Sequence, residues 1–228
     1  MGRTVFIGDV HGCRDELDAL LERVAFSAGD RLVMVGDLVV RGPNPHGTLA
    51  LLRAAGAVSV RGNHEDRLLR HRERPESCPL GDLALATVKA LRRRDWAMIE
   101  SLPLWLDLPA HGVRVVHAAV LSGVPMESQS PRSLMYARSI DASGALTEAP
   151  GTRLWGTSYE GPPHVVFGHN ARVGLQLHRW ATGLDTGCVY GGSLTAMVLG
   201  AGEPPPPPAN RGDVLVSVRA RRSYIPSR

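Results

Sequence analysis

The chain has 228 residues, 43% hydrophobic and 21% charged, which suits one domain with a sizeable core and excludes a disordered, collagen-like or disulfide-scaffold chain. Its net charge is +4, and arginine supplies all but one of the 26 basic residues, the exception being Lys89. Such a surface attracts polyanions, nucleotides and nucleic acid among them, and arginine can grip phosphate with paired hydrogen bonds.

Residues 4–7 (TVFI) read as a buried strand that stops at Gly8-Asp9. Leu17, Leu20, Leu21 and Val24 then recur at helical spacing over 14–24. Residues 32–35 (LVMV) are a second strand ending at Gly36-Asp37, and Thr48 to Ala55 is a helix. Residues 57–60 (AVSV) are a third strand, ending at Gly62-Asn63. A helix from Glu65 to Arg72 and another over 83–100 complete a β-α-β-α-β half, with Arg94-Asp95 read as solvated charge. Beyond Pro103 the pattern turns to strands, at 104–108, 113–116, 164–167, 175–180 and 194–199. A Ser-, Pro- and Gly-rich stretch over 119–162 separates them, with one helical turn near Leu134. The expected organisation is one domain over 1–202, followed over 203–228 by a polyproline spacer (Pro204–Pro208), a last strand at 213–219 and a basic tail.

No apolar run reaches the roughly 18 residues of a membrane span. The apolar stretch at the start is too short for a signal-peptide core. Cys13, Cys78 and Cys188 show no CxxC spacing. An odd, unpatterned set of cysteines points to a reducing cytoplasm and away from disulfides or a zinc knuckle.

Five apolar strands each end in side chains that ligate metals. They offer Asp9 and His11 (GDVHG), Asp37 (GDLVVRG), Asn63 (GNHE), His117 (VVH) and His169 (FGH). Singly, each reads as a turn, a helix cap or a hydrogen-bonded histidine. Together they offer mixed oxygen and imidazole donors at strand ends, where open α/β sheets gather ligands. That donor set suits Mn, Fe, Co, Ni or Zn better than Mg or Ca. Two such ions activate water and neutralise a phosphoryl group in flight. Arg41, four residues after Asp37, is placed to hold phosphate oxygens.

The ordered motifs GD-x-HG, GD-x-V-x-RG, GNHE, VH and FGH resemble the calcineurin-like metallophosphoesterases over about Thr4 to Leu199. The resemblance implies an α/β fold with two mixed β-sheets in a sandwich flanked by helices. It implies a first metal on Asp9, His11 and Asp37. A second would sit on Asp37 as bridge, Asn63, His117 and His169. It makes His64 the acid that protonates the leaving oxygen, and Arg41 the phosphate clamp, with two divalent ions, Mn the expected one. Protein phosphatases of this family carry Asp directly before that arginine, where this chain has Val40. GDLVVRGP and LDTGCVYGGSLT (184–195) resemble instead the symmetrical diadenosine tetraphosphatases, with Tyr190 in place of their usual Trp.

The expected reaction is therefore symmetrical cleavage of diadenosine tetraphosphate to two ADP by in-line attack of a metal-bound hydroxide. GNHE and the compact chain keep open a serine/threonine/tyrosine phosphoprotein phosphatase or broad phosphomonoesterase. A third reading is a non-catalytic nucleotide- or RNA-binding protein, against which the intact ligand set speaks. The expected partner is a dinucleoside polyphosphate or a phosphoprotein, with neither a membrane nor nucleic acid expected. Arg153 in TRLWG is a candidate second phosphate clamp, and Tyr190 either stacks on a base or covers the core.

Overall fold

A computed structural model describes residues 2–151 and 153–225. β1 (Thr4–Ile7), α1 (Arg14–Arg23), β2 (Arg31–Met34), α2 (Pro45–Ala54), β3 (Val58–Ser59) and α3 (Asn63–Glu73) alternate as expected. Next, α4 (Asp82–Ala90) and α5 (Arg93–Ser101) replace the single helix expected over 83–100. The break falls where Leu91 and Arg92 turn extended, with ψ of 137° and 169°. The Asp95 carboxylate then accepts the Arg92 N–H at 2.8 Å, which restarts the helix. Asp95 is thus not a solvated charge: it is buried, 2.7 Å from both His46 and Arg53.

The second half supplies β4 (Trp105–Leu108), β5 (Val113–Val116), α6 (Pro131–Tyr136), β6 (Ser139–Ile140), β7 (Leu146–Thr147) and β8 (His164–Phe167). It continues with β9 (Gln176–Leu177), β10 (Ala181–Gly183), β11 (Ser193–Leu199) and β12 (Leu215–Arg219). The strand expected over 175–180 is one arm and the turn of a hairpin. The His178 N–H donates to Ala181 O at 2.9 Å, and β9 pairs antiparallel with β10.

One sheet has the order β12-β11-β1-β2-β3 and the other β4-β5-β8-β10-β9, with β6-β7 a separate ribbon. Each large sheet holds three parallel strands, β1, β2 and β3 in one and β5, β8 and β10 in the other, completed by antiparallel neighbours. The two-residue period of a strand builds the layers. Phe6, Val33 and Met197 from the first sheet meet Val113, Val115 and Val166 from the second in one apolar cluster. Val5 and Ile7 point the other way, onto Leu17, Leu20, Leu49 and Leu68 of the helices. Val165 and Phe167 likewise face outward, under Leu134 and Trp155. The fold is the expected sandwich of two mixed sheets with helices on its flanks. No helix among the described residues is long and apolar enough to cross a membrane.

The chain after Gly202 rejoins the first sheet. A 3-10 turn (Pro208–Val214) leads into β12, which pairs with β11 from Ser193↔Arg219 to Met197↔Leu215. Arg211 in that turn is buried, and its guanidinium donates to the carbonyls of Pro206, His178 and Ala181.

Candidate active site

Parallel strands send their carboxyl ends the same way, so β1, β2 and β3 deliver their loops beside those of β5, β8 and β10. The loop after β1 carries Asp9 and His11, and the loop after β2 carries Asp37 and Arg41. The segment after β3 starts α3 with Asn63 and His64. His117 follows β5 and His169 lies two residues past β8.

These turns are tight enough to push non-glycine residues into the left-handed region. His11, Asp37 and His169 have φ of 48°, 49° and 70°, and Val40 and Arg41 have 73° and 75°. For a β-branched residue such as Val40 this is a genuine outlier. The Glu65 carboxylate compensates by accepting the N–H groups of Asp37, Leu38, Val39 and Gly62 at 2.9–3.2 Å. Gly62 and Gly168 have no alternative, because a Cβ there would collide with the carboxylates of Asp37 and Asp9.

Asp37 is the hub. Its Oδ2 lies 3.4 Å from His117 Nε2, 3.6 Å from His11 Nε2 and 4.0 Å from His64 Nε2. Its Oδ1 accepts the His64 N–H at 3.0 Å. Asn63 Oδ1 lies 3.0 Å from His117 Nε2 and 2.9 Å from His169 Nδ1. The other nitrogens of these rings face main-chain carbonyls: His11 Nδ1 at Val39 O, His117 Nδ1 at Val35 O, His169 Nε2 at Tyr136 O. An N–H pointed at a carbonyl leaves the opposite nitrogen as a lone pair. At His169, whose ring burial keeps neutral, that lone pair faces Asn63 Oδ1, acceptor against acceptor, while the His11 and His117 nitrogens face Asp37 Oδ2, with Arg41 Nη1 also 3.3 Å from His11 Nε2.

That mismatch is what divalent cations resolve, and the carbonyl-tethered imidazoles are the arrangement that metal-ligating histidines use. The donors fall into two groups sharing Asp37, namely His11, Asp37 and His64, and Asp37, His117 and His169. Asp9 adds a carboxylate that burial and the neighbouring Asp185 and Asp37 charges push well above the usual range. Burial also pulls Asp37 upward, but the His117, His64 and His11 rings outweigh it and hold the carboxyl well below that range. Burial pushes His11 down to about 4 and lowers His64 and His169 as well. The chemistry and convergence of the donors fit two divalent ions.

The cluster opens into a cavity of about 930 Å³. Arg41, Arg138, Arg172 and Tyr190 line it, and none of the three arginines forms an ion pair among the described residues. The Tyr190 ring is 44% exposed with the Arg41 guanidinium 5.4 Å from its centroid, so it does not cover the core. Arg153 does not line the cavity; it is exposed, and its Nη1 sits 3.4 Å from Asp141 O. The other two arginines that line it, Arg138 and Arg172, escaped the sequence reading because each sits in a loop with no strand-end motif. Asp185 accepts the Gly187 N–H at 3.1 Å, and burial pushes its carboxyl up to about 6. Its proximity to Asp9 was not legible.

The profile of the calcineurin-like phosphoesterases matches residues 2–200. The chain belongs to that family. This calcineurin-like phosphoesterase is 32% identical to the symmetrical bis(5'-nucleosyl)-tetraphosphatase of Chromohalobacter salexigens, over 88% of the chain and 96% of the relative. It is 28% identical to the asymmetrical bis(5'-nucleosyl)-tetraphosphatase PrpE of Bacillus velezensis, over 83% of the chain and 86% of the relative. A crystal structure described as a candidate diadenosine tetraphosphatase superposes with a TM-score of 0.82 at 35% identity, covering 96% of this chain and 94% of that one. The family works with divalent metal ions, and this phosphoesterase has the buried His and Asp groups to hold them.

Proposed function

We propose that this phosphoesterase cleaves diadenosine tetraphosphate symmetrically to two ADP. The observation that carries the reading is the union of a buried cluster of metal-type donors with a cavity that presents three arginines without an ion pair among the described residues and an exposed tyrosine. A single phosphate monoester needs one such clamp, whereas a chain of phosphates ending in a base uses all of them. Relatives named for both modes of cleavage match the chain. GDLVVRGP and LDTGCVYGG favour the symmetrical mode.

Asp9, His11 and Asp37 would hold one ion, and Asp37, Asn63, His117 and His169 the other, with manganese the metal suited to this mixed donor set. Bound ions supply Lewis-acid charge to the phosphoryl group and make water nucleophilic at neutral pH. Arg41 neutralises phosphate oxygens beside His11, from whose Nε2 its Nη1 is 3.3 Å away. Arg138 and Arg172 grip the phosphates further along the chain, and Tyr190 offers its exposed face to a base. His64 delivers a proton to the leaving oxygen. Burial keeps its ring neutral at rest, and a phosphate arriving beside it raises its proton affinity.

Among the described residues, Asp37 is the only carboxylate within 4.0 Å of the His64 ring nitrogens, and the His11 ring packs edge-on against it at 4.9 Å. That weak anchoring suits a nucleoside diphosphate, a leaving group that needs little help. Three free, buried cysteines fit a reducing cytoplasm.

The test is product analysis. Purified protein is incubated with Mn and diadenosine tetraphosphate, a phosphopeptide is run in parallel, and products are resolved by ion exchange. ADP as the sole early product is the expected result. Early AMP and ATP mean asymmetrical cleavage. Intact dinucleotide beside phosphate released from the peptide moves the activity to phosphoproteins and overturns the proposal.

A further inference from the structure

A second set of ligating side chains lies outside the phosphate cavity. Cys13 follows the loop that carries Asp9 and His11, Cys188 follows Asp185 by three residues, and Glu16 sits in the first turn of α1. The two Sγ atoms and one Glu16 carboxylate oxygen all lie within 4.8 Å of one another, and all three residues are buried. Glu16 Oε1 accepts the Tyr224 O–H at 2.6 Å and the Arg221 N–H at 3.1 Å. Glu16 Oε2 is buried with no hydrogen-bond partner among the described residues. Leaving a carboxylate oxygen without a donor in the interior is costly.

The position of Glu16 sharpens the point. A Glu three residues past the cap ordinarily reaches back to the cap N–H. Here the Cys13 N–H donates to Val10 O at 2.8 Å, and α1 has no side-chain cap. Glu16 is instead held from outside by the segment that follows β12. The Tyr224 and Arg221 contacts account for Oε1 alone and leave Oε2 without a donor.

We propose that Cys13, Cys188 and Glu16 bind one thiophilic divalent cation of the zinc type, separate from the ions of the phosphate cavity. Two thiolates and a carboxylate select zinc-class ions over Mg, Ca or Mn. On binding, two S–H bonds break and both protons leave to solvent. The ion takes one lone pair from each sulfur and one from Glu16 Oε2. No electron changes hands. The site ties the start of α1 and the LDTGC turn to the chain end through Tyr224 and Arg221. Its donors are buried, so the ion enters as the chain folds.

The test uses the full chain, stripped of metals in denaturant with a chelator and refolded with Cd²⁺. The active site contains no cysteine, so thiolate-to-metal charge-transfer absorption is silent there, and the Cys78→Ser variant separates this cluster from the third cysteine. The expected result is a band saturating at one equivalent and displaced by Zn²⁺. Cys13→Ser and Cys188→Ser each remove most of it, Cys78→Ser keeps it, and Glu16→Gln weakens the affinity at least tenfold. X-ray absorption on the zinc-loaded wild type requires no variant to fold and should show two sulfurs on the metal. Absence of the band in the wild type, its survival in the Cys13/Cys188 double serine variant, or a zinc shell without sulfur overturns the proposal. None of these readouts involves turnover, so they stand apart from any failure of the hydrolase reading.

Discussion

Asp37 answers to three histidines with one carboxylate. Its Oδ1 receives the His64 N–H, and its Oδ2 faces three imidazole nitrogens within 4.0 Å. Asn at this position keeps the shape but removes the charge and puts an NH₂ where a lone pair is needed. Asp37→Asn is therefore expected to lower turnover at least about a hundredfold and to weaken divalent-ion binding in calorimetry. Near-normal turnover would remove Asp37 from the bridging role. Glu65 acts one step back. Burial and the Asp37 charge push its carboxyl up to about 7, yet it accepts four main-chain N–H groups around Asp37. In Glu65→Gln one of those acceptors becomes a donor facing donors. The expected cost is about 2–4 kcal/mol in urea unfolding, with turnover falling as the strained loop at Asp37 and Val40 loosens. Unchanged stability would mean that the loop keeps its shape without the clamp. Glu65 was legible only as a first-turn helix residue, because three of its four partners lie 26 to 28 positions earlier in the chain.

Among the elements, the decisive ones are short parallel strands whose ends are crowded with glycine and ligands. They were legible because each is an apolar run cut off at a Gly-Asp, Gly-Asn or His, and β1, β5 and β8 fall on the predicted residues. The helix over 83–100 was misread because its break has no ordinary cap residue: Arg92 stands where Ser, Thr, Asp or Asn would announce a start. The hairpin at His178–Ala181 was misread because LQLHRW alternates like one continuous strand. The polyproline segment read as a spacer because Pro204–Pro208 carries no donors of its own. What places it is Arg211, whose guanidinium bonds Pro206 beside it and His178 and Ala181 of the other sheet. Arg211→Met fills similar space but strands those carbonyls. It is expected to cost about 2–3 kcal/mol in thermal or urea unfolding, while hydrolysis of a small phosphate ester below the transition stays near wild type. Loss of turnover in a folded variant would instead link this turn to the site.

At the scale of the molecule, two half-sandwiches meet so that six parallel strand ends share one edge, and the charge follows the same geometry. The net charge is +4, and the cavity beside the ligand cluster gathers Arg41, Arg138 and Arg172. The convergence of the proposed metal donors was legible residue by residue because each follows the end of a strand. The arginines were not, because Arg138 and Arg172 reach the cavity only when α6 and the loop after His169 pack over the second sheet. Their unpaired charge predicts how the enzyme meets its substrate. A tetraphosphate bridge carries several negative charges and a small monoester at most two, so long-range attraction weighs more on the former. Salt shortens that reach from about 10 Å at 0.1 M to about 3 Å at 1 M. Raising sodium chloride between those limits, with metal held saturating, is expected to raise KM for diadenosine tetraphosphate several-fold. Kcat should change little, because once the phosphates are seated the charges are in contact and partly dehydrated. KM for p-nitrophenyl phosphate should move much less over the same range. Equal salt sensitivity for both substrates would mean that the three arginines do not read the length of the phosphate chain, and the cavity would then be a monoester site.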